Sequence, residues 1–271
     1  MTRQYCHIGN KTIAYLDSAP KQKDLRALVL LHAFPIGANL WEPQMRAIPK
    51  GWRLITPDLR GFGGSTELDS ISAASMSDYA EDVVDLLQEL GVKRAVIGGC
   101  SMGGYAALAL LQAHPEMFDG LVLVNTRAGA DSPEARANRR NMLALVDREG
   151  ASGVAREMMP KLLGNTTRDS NSSIEPFVRR LIKQQSPTAI RTGIHRMMHR
   201  PDSTPLLARV SVPTLVITGA EDEMIPVDES RRMASAVKGA TLVIIPGAGH
   251  LSNLEQPEAF NDALNTFLAA L

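Results

Sequence analysis

The stretch that most constrains this chain is Ala95-Val96-Ile97-Gly98-Gly99-Cys100-Ser101-Met102-Gly103-Gly104-Tyr105. An apolar run breaks at glycine, one serine stands between Gly99 and Gly103, and an alanine- and leucine-rich segment follows over 105–111. This is the pattern of a strand, a sharp turn and a helix, with the spacing G-x-S-x-G. A residue on so tight a turn sits in a strained backbone conformation, and side chains two positions either way would clash with it. Ser101 is therefore expected at the end of a sheet, with the positive N-terminal end of the following helix directed towards it. Met102 would offer its backbone N–H to a developing oxyanion. Capping of the helix by the serine is the plainer alternative.

The flanking sequence repeats that alternation. Continuous apolar runs at 27–31, 121–124, 214–217 and 241–245 are what strands buried on both faces of a parallel sheet look like. The segment 53–56 reads as a further strand, and residues 4–16 as two short strands around Gly9-Asn10, a two-residue hairpin turn. Between the strands, Ala80, Val83, Val84, Leu87 and Leu90 recur at helical spacing, with Asp78 and Glu81 as a capping box and Gly91 as the stop. Helices are also expected at 41–48, 226–237 and from Pro257, the last carrying Phe260, Leu264, Phe267, Leu268 and Leu271 on one face. The fold class is therefore α/β, a mostly parallel sheet flanked by helices.

From 126 to 205 the β runs vanish, and helices are expected near 133–147, 153–163, 175–183 and 188–198. The chain thus divides into a first core part (1–125), a helical lid (126–205) and a second core part (206–271). The total of 29 basic and 29 acidic residues argues against general attraction to nucleic acid or membrane. That balance conceals a polarity, because 127–205 holds fourteen Lys/Arg against eight Asp/Glu. A basic lid would attract an anionic substrate or an acidic carrier; the alternative is solvated outer helix faces, screened beyond about 8 Å. Apolar lid residues, including Met142, Leu145, Met158, Met159, Leu162, Leu163, Met197 and Met198, are expected to dock the lid and line an acyl pocket. Two cysteines, no apolar leader and no membrane span point to a soluble cytoplasmic protein.

A serine hydroxyl needs an adjacent base, and the base needs an orienting acid. Among six histidines, His250 lies just past the last strand, at the sheet end expected for Ser101. His7 and His114 read as structural, and His32 belongs to the loop after the 28–31 strand. His195 and His199 stand four apart on a helix but lack the glutamate of H-E-x-x-H and a third ligand, so no metal is expected. For the acid, Asp222 lies in the loop after the strand before last, with Glu221 and Glu223 as rivals and Asp131 as a distant reserve; Asn125 cannot ionise. The order Ser101, Asp222, His250 is that of the G-x-S-x-G hydrolases. A second oxyanion donor is expected from His32-Ala33-Phe34-Pro35, through the Phe34 N–H. Asp58-Leu59-Arg60-Gly61-Phe62-Gly63-Gly64-Ser65 reads as a turn, since neither a lysine nor a helix follows as in a phosphate loop.

With these residues in place, the chain resembles the α/β-hydrolase superfamily along its whole length. It is similar to the small bacterial esterases that include 3-oxoadipate enol-lactonases and pimeloyl-carrier methyl ester esterases. The resemblance implies Ser101 as nucleophile, His250 as base, Asp222 as acid, Phe34 and Met102 as backbone donors, and neither metal nor organic cofactor. Two departures stand out: Ala33 where relatives have glycine, and Cys100 where histidine or glutamine often precedes the nucleophile. Cys100 reads as a small packing residue. The expected activity is hydrolysis of small to medium carboxylic esters through an acyl-enzyme. A lactonase, a lyase or perhydrolase, and a ligand receptor on the same scaffold are the alternatives.

Overall fold

A computed structural model describes residues 2–22, 24–66, 74–170 and 173–271. Eight strands form one sheet: β1 (Gln4–Ile8), β2 (Lys11–Asp17), β3 (Arg26–Leu31), β4 (Trp52–Pro57), β5 (Ala95–Cys100), β6 (Phe118–Val124), β7 (Thr214–Gly219) and β8 (Thr241–Ile245). Their order across the sheet is β1-β2-β4-β3-β5-β6-β7-β8. The β1–β2 hairpin turns at Gly9, and both β1–β2 and β2–β4 pair antiparallel. Every pairing from β4 to β8 is parallel. Residues 28–31 and 121–124 are completely buried, as continuous apolar runs covered on both faces must be.

Helices fill the connections: α1 (Glu42–Ala47), α2 (Met76–Glu89), α3 (Met102–Ala113), α4 (Pro133–Leu162), α5 (Asn165–Asp169), α6 (Ile174–Lys183), α7 (Pro187–His199), α8 (Thr204–Leu207), α9 (Val227–Ala236), α10 (Ser252–Glu255) and α11 (Pro257–Ala269). One local reading needs correction. The α2 capping box begins at Ser75, one turn earlier than expected, and Asp78 is its reciprocal acid rather than its cap. Two residues separate Ser75 from Asp78, which is the S-x-x-[DE] spacing of a capping box. The helices expected at 133–147 and 153–163 are two limbs meeting at Gly150, whose φ of 59° and ψ of −157° break the helix. Only glycine holds that conformation without strain.

The chain adds β4 on one side of β3 and then crosses to add β5 on the other. The direction of winding reverses between β3 and β5, and α/β sheets place ligands at such a crevice, beyond the carboxyl ends of the strands. The loops that leave β3, β5, β6, β7 and β8 carry His32 to Phe34, Ser101, Asn125, Asp222 and His250, all at that edge. Helices α4 to α8 lie between β6 and β7 in sequence, and α4 packs on α6 and α7.

Candidate active site

Ser101 sits in the turn between β5 and α3 with φ 53° and ψ −112°. It is one of two non-glycine residues with positive φ among those described, the other being Asn125. A serine held there stores strain that the surroundings must impose. They do so from both sides. The Ser101 N–H donates to the Val124 carbonyl (3.0 Å), while its carbonyl accepts from Gly104 N–H (2.9 Å) and the Thr126 hydroxyl (2.8 Å). A Cβ on Gly103 would strike the Leu31 carbonyl, and one on Gly99 would strike the Gly103 backbone. Both glycines are therefore required by close approach. As the first residue of α3, Met102 has an N–H that the helix itself leaves unpaired.

His250 is 1% exposed, and its Nδ1 lies 2.9 Å from Asp222 Oδ2 and 3.1 Å from Oδ1. The Asp222 carboxylate also accepts the Asn125 amide (2.8 Å) and the N–H groups of Met224 and Ile225 (2.9 Å each). Burial works to raise the Asp222 carboxyl. The His250 charge and the hydrogen bonds from His250, Asn125 and Ile225 outweigh it and hold the group below the ordinary aspartate range. Glu221 and Glu223 are placed elsewhere. Glu221 accepts from the Thr166 N–H (2.9 Å) and hydroxyl (2.6 Å), and Glu223 lies 3.7 Å from Arg168. Asp131 belongs to an arginine cluster.

Asn125, set aside in the sequence because it cannot ionise, ties three loops together. Its amide donates to Asp222 and to the Gly249 carbonyl (3.1 Å), and its carbonyl accepts from the Ser252 hydroxyl (2.6 Å). Glu255 was not singled out at all. One oxygen accepts from Gly249 N–H (2.9 Å) and Leu251 N–H (3.1 Å), on either side of His250. The other accepts from Gly164 N–H and the Thr167 hydroxyl, both at 2.7 Å, on the helical segment. Burial raises this carboxyl above the ordinary glutamate value against those four hydrogen bonds. The only sequence signal is an acid in a short helix beside His250; its partner Gly164 is 91 residues away.

The remaining candidates separate clearly. His32 is fully buried; its Nε2 accepts from Leu59 N–H (2.9 Å) and its Nδ1 donates to its neighbour's carbonyl (3.0 Å). Burial lowers its pKa, which keeps it neutral as that pairing requires. His7 and His114 bond to Thr12 and Glu81 near the surface. His195 and His199 stack with ring centroids 5.9 Å apart, and no group of three or more metal-ligating side chains occurs among the described residues. Cys100 is buried, with its thiol 3.7 Å from the His250 carbonyl and its pKa pushed well up by burial and by the charges of Asp222 and Glu255. That makes it a poor nucleophile. Asp58 organises its turn by accepting from Ala38 N–H (2.7 Å) and Gly64 N–H (3.0 Å).

A cavity of about 60 Å³ opens at Ser101 between Phe34, Met158, Met197, Met224 and Ile225. Tyr105, Arg127 and Arg139 complete its wall. A wider cavity of about 260 Å³ shares Phe34, Arg127, Arg139, Met158 and Met224 with it and extends to Met142 and Lys161. Of the apolar residues expected at a pocket, Met142, Met158 and Met197 are there. Leu145, Met159, Leu162, Leu163 and Met198 are buried and line neither cavity.

The chain and its fold match known proteins. The family model described as the alpha/beta hydrolase fold matches residues 26–257. A thermophilic esterase from Thermogutta terrifontis, solved with malate bound, superposes with a TM-score of 0.92 at 35% identity, over 100% of this chain and 99% of that one. A relative named for carbamate hydrolysis, RutD of Caulobacter sp., is 32% identical over 91% of each chain. The 3-oxoadipate enol-lactonase 1 of Acinetobacter baylyi is 27% identical over 96% of this chain and 94% of its own. The chain belongs to the α/β-hydrolase fold family and is a hydrolase.

Proposed function

We propose that the protein is a serine hydrolase of carboxylic esters, with Ser101 as nucleophile, His250 as general base and acid, and Asp222 as the orienting carboxylate. The observation that carries this reading is the conjunction of a strained Ser101 on the β5–α3 turn with a His250–Asp222 pair at the same sheet edge. With Nδ1 engaged by Asp222, Nε2 is the nitrogen left to exchange a proton with the serine. His250 takes the Ser101 proton as Oγ attacks the ester carbonyl, and the N–H groups of Phe34 and Met102 stabilise the oxyanion. Collapse of the tetrahedral intermediate expels the alkoxide, which leaves with the proton from His250. Water then repeats the sequence on the acyl-enzyme and releases the acid. Residues 126–205 act as the lid, supplying Arg139, Met158 and Met197 to the cavity wall.

A lactone is the same reaction with alcohol and acyl parts tethered, and the kinship with enol-lactonases favours that as the second reading. The test is a pre-steady-state burst with chromogenic esters, wild type beside Ser101→Ala. A stoichiometric burst that disappears in the variant is expected; full turnover by Ser101→Ala refutes the mechanism. One product from a lactone and two from an open ester distinguish the readings.

A further inference from the structure

The lid's excess positive charge is not distributed evenly. Several of its arginines are matched on the surface, such as Arg156 with Glu149, Arg179 with Glu175 and Arg191 with Asp147. Arg127 and Arg139 are different, because both line the cavity at Ser101 and the wider one beyond it. Among the described residues their only carboxylate partner is Asp131, whose side chain is wholly buried and which also binds Arg200. One oxygen of Asp131 receives Arg127 (2.8 Å) and Arg200 (2.7 Å), the other Arg139 (3.1 Å). One negative charge thus stands against three positive ones.

Arg200 is 3% exposed and committed to structure: it lies over the Tyr105 ring and donates to the Met197 and Gly129 carbonyls. Arg127 and Arg139 keep 25% and 21% of their side-chain surface. A guanidinium has five N–H donors. Arg139 makes one side-chain hydrogen bond to Asp131, Arg127 bonds to Asp131 and to the Tyr105 side chain on the same cavity wall, and the buried Nε of Arg127 has no partner among the described residues. The wider cavity adds Lys161 and one acid, Glu157, so its lining is also net positive.

We propose that Arg127 and Arg139 form a subsite for a free carboxylate, so that the preferred substrate is the half-ester of a short dicarboxylic acid. This rests on the esterase reading above and names its substrate class. Planar guanidinium groups suit a carboxylate, and an enclosed wall strengthens the attraction relative to bulk water. The inner cavity has room for roughly two waters, which places the bound carboxylate only a few carbons from the scissile carbonyl. Hydrolysis then releases a dicarboxylate and a neutral alcohol.

The experiment compares kcat/KM for the monomethyl esters of succinate, glutarate and adipate with that for neutral methyl esters of equal chain length. Wild type is expected to favour the charged ester by about tenfold or more, the scale of one charge-assisted hydrogen bond, with the preference shrinking as salt is added. In Arg139→Gln the ratio should collapse towards one, with circular dichroism verifying the fold. A Ser101-dependent burst without charge preference in wild type overturns the carboxylate subsite and leaves the esterase standing. If neither ester type is hydrolysed, the esterase reading fails. Titration of wild type and Arg139→Gln with glutarate by calorimetry then decides the subsite. Binding lost in the variant supports it, and no binding to wild type overturns it.

Discussion

Glu255 offers the sharpest test of how the helical segment and the histidine loop are joined. Its carboxylate receives four hydrogen bonds, from the N–H groups of Gly164, Gly249 and Leu251 and the hydroxyl of Thr167. Glu255→Ala leaves three buried backbone donors without a partner, at about 1–3 kcal/mol each. The hydroxyl can rotate to another acceptor. Against that loss stands relief from burying a charge, which the raised pKa of Glu255 reports. The net destabilisation expected is about 3 kcal/mol. Glu255→Gln keeps one carbonyl for Gly249 and Leu251 but turns an amide N–H towards Gly164 N–H, stranding one donor for about 1–2 kcal/mol. Urea unfolding followed by circular dichroism measures both, and amide exchange locates the loss. Gly164, Gly249 and Leu251 should lose protection first in Glu255→Ala. The same variant should lower kcat more than Glu255→Gln, because the amides it frees flank His250. An alanine variant within about 0.5 kcal/mol of wild type would refute the reasoning.

Two further outcomes follow from geometry already described. Gly103→Ala would push a methyl group into the Leu31 carbonyl, so α3 must shift off β3; a loss of about 2–3 kcal/mol in denaturant unfolding is expected, with activity falling further because Ser101 moves too. The Asp131 carboxyl, although burial works to raise it, is held below its ordinary value by Arg139 and Arg200. Its contribution to stability is therefore complete above the unfolded aspartate value near pH ~3.9 and is lost as pH falls through the depressed folded value. The stability gap between wild type and Asp131→Asn should accordingly be widest near neutrality and close in acid.

What could be read from the sequence was whatever depends on near neighbours. The glycines around Ser101 announce a tight turn because backbone crowding acts over two or three residues. Apolar runs at 28–31 and 121–124 announce buried strands because both faces of a parallel sheet are covered. The order of strands is a different matter, since the position of β4 between β2 and β3 leaves no mark on periodicity. Asn125 and Glu255 were missed for the same reason. Their partners lie up to 127 residues away, and a polar residue in a loop looks alike whether it faces water or a buried amide. The net charge of 127–205 left an anion-binding lid and solvated outer helix faces open, because a total does not say where each charge points. The structure separates them: Arg127 and Arg139 share one buried carboxylate at the cavity, while Arg156, Arg179 and Arg191 pair outside.

The sheet order also fixes when activity can arise during synthesis. Ser101 and its strand stand in the middle of the sheet, whereas His250 follows β8 at the edge, and the contact between Cys100 and His250 spans 150 residues. Chain emerging from a ribosome folds from its N-terminus at a rate limited by translation, so the serine turn can form long before its histidine exists. On the proposed mechanism, the strained serine has no base until β8 is laid on β7. On that mechanism catalytic competence waits for the docking of β8, and appearance of turnover during refolding would time that step.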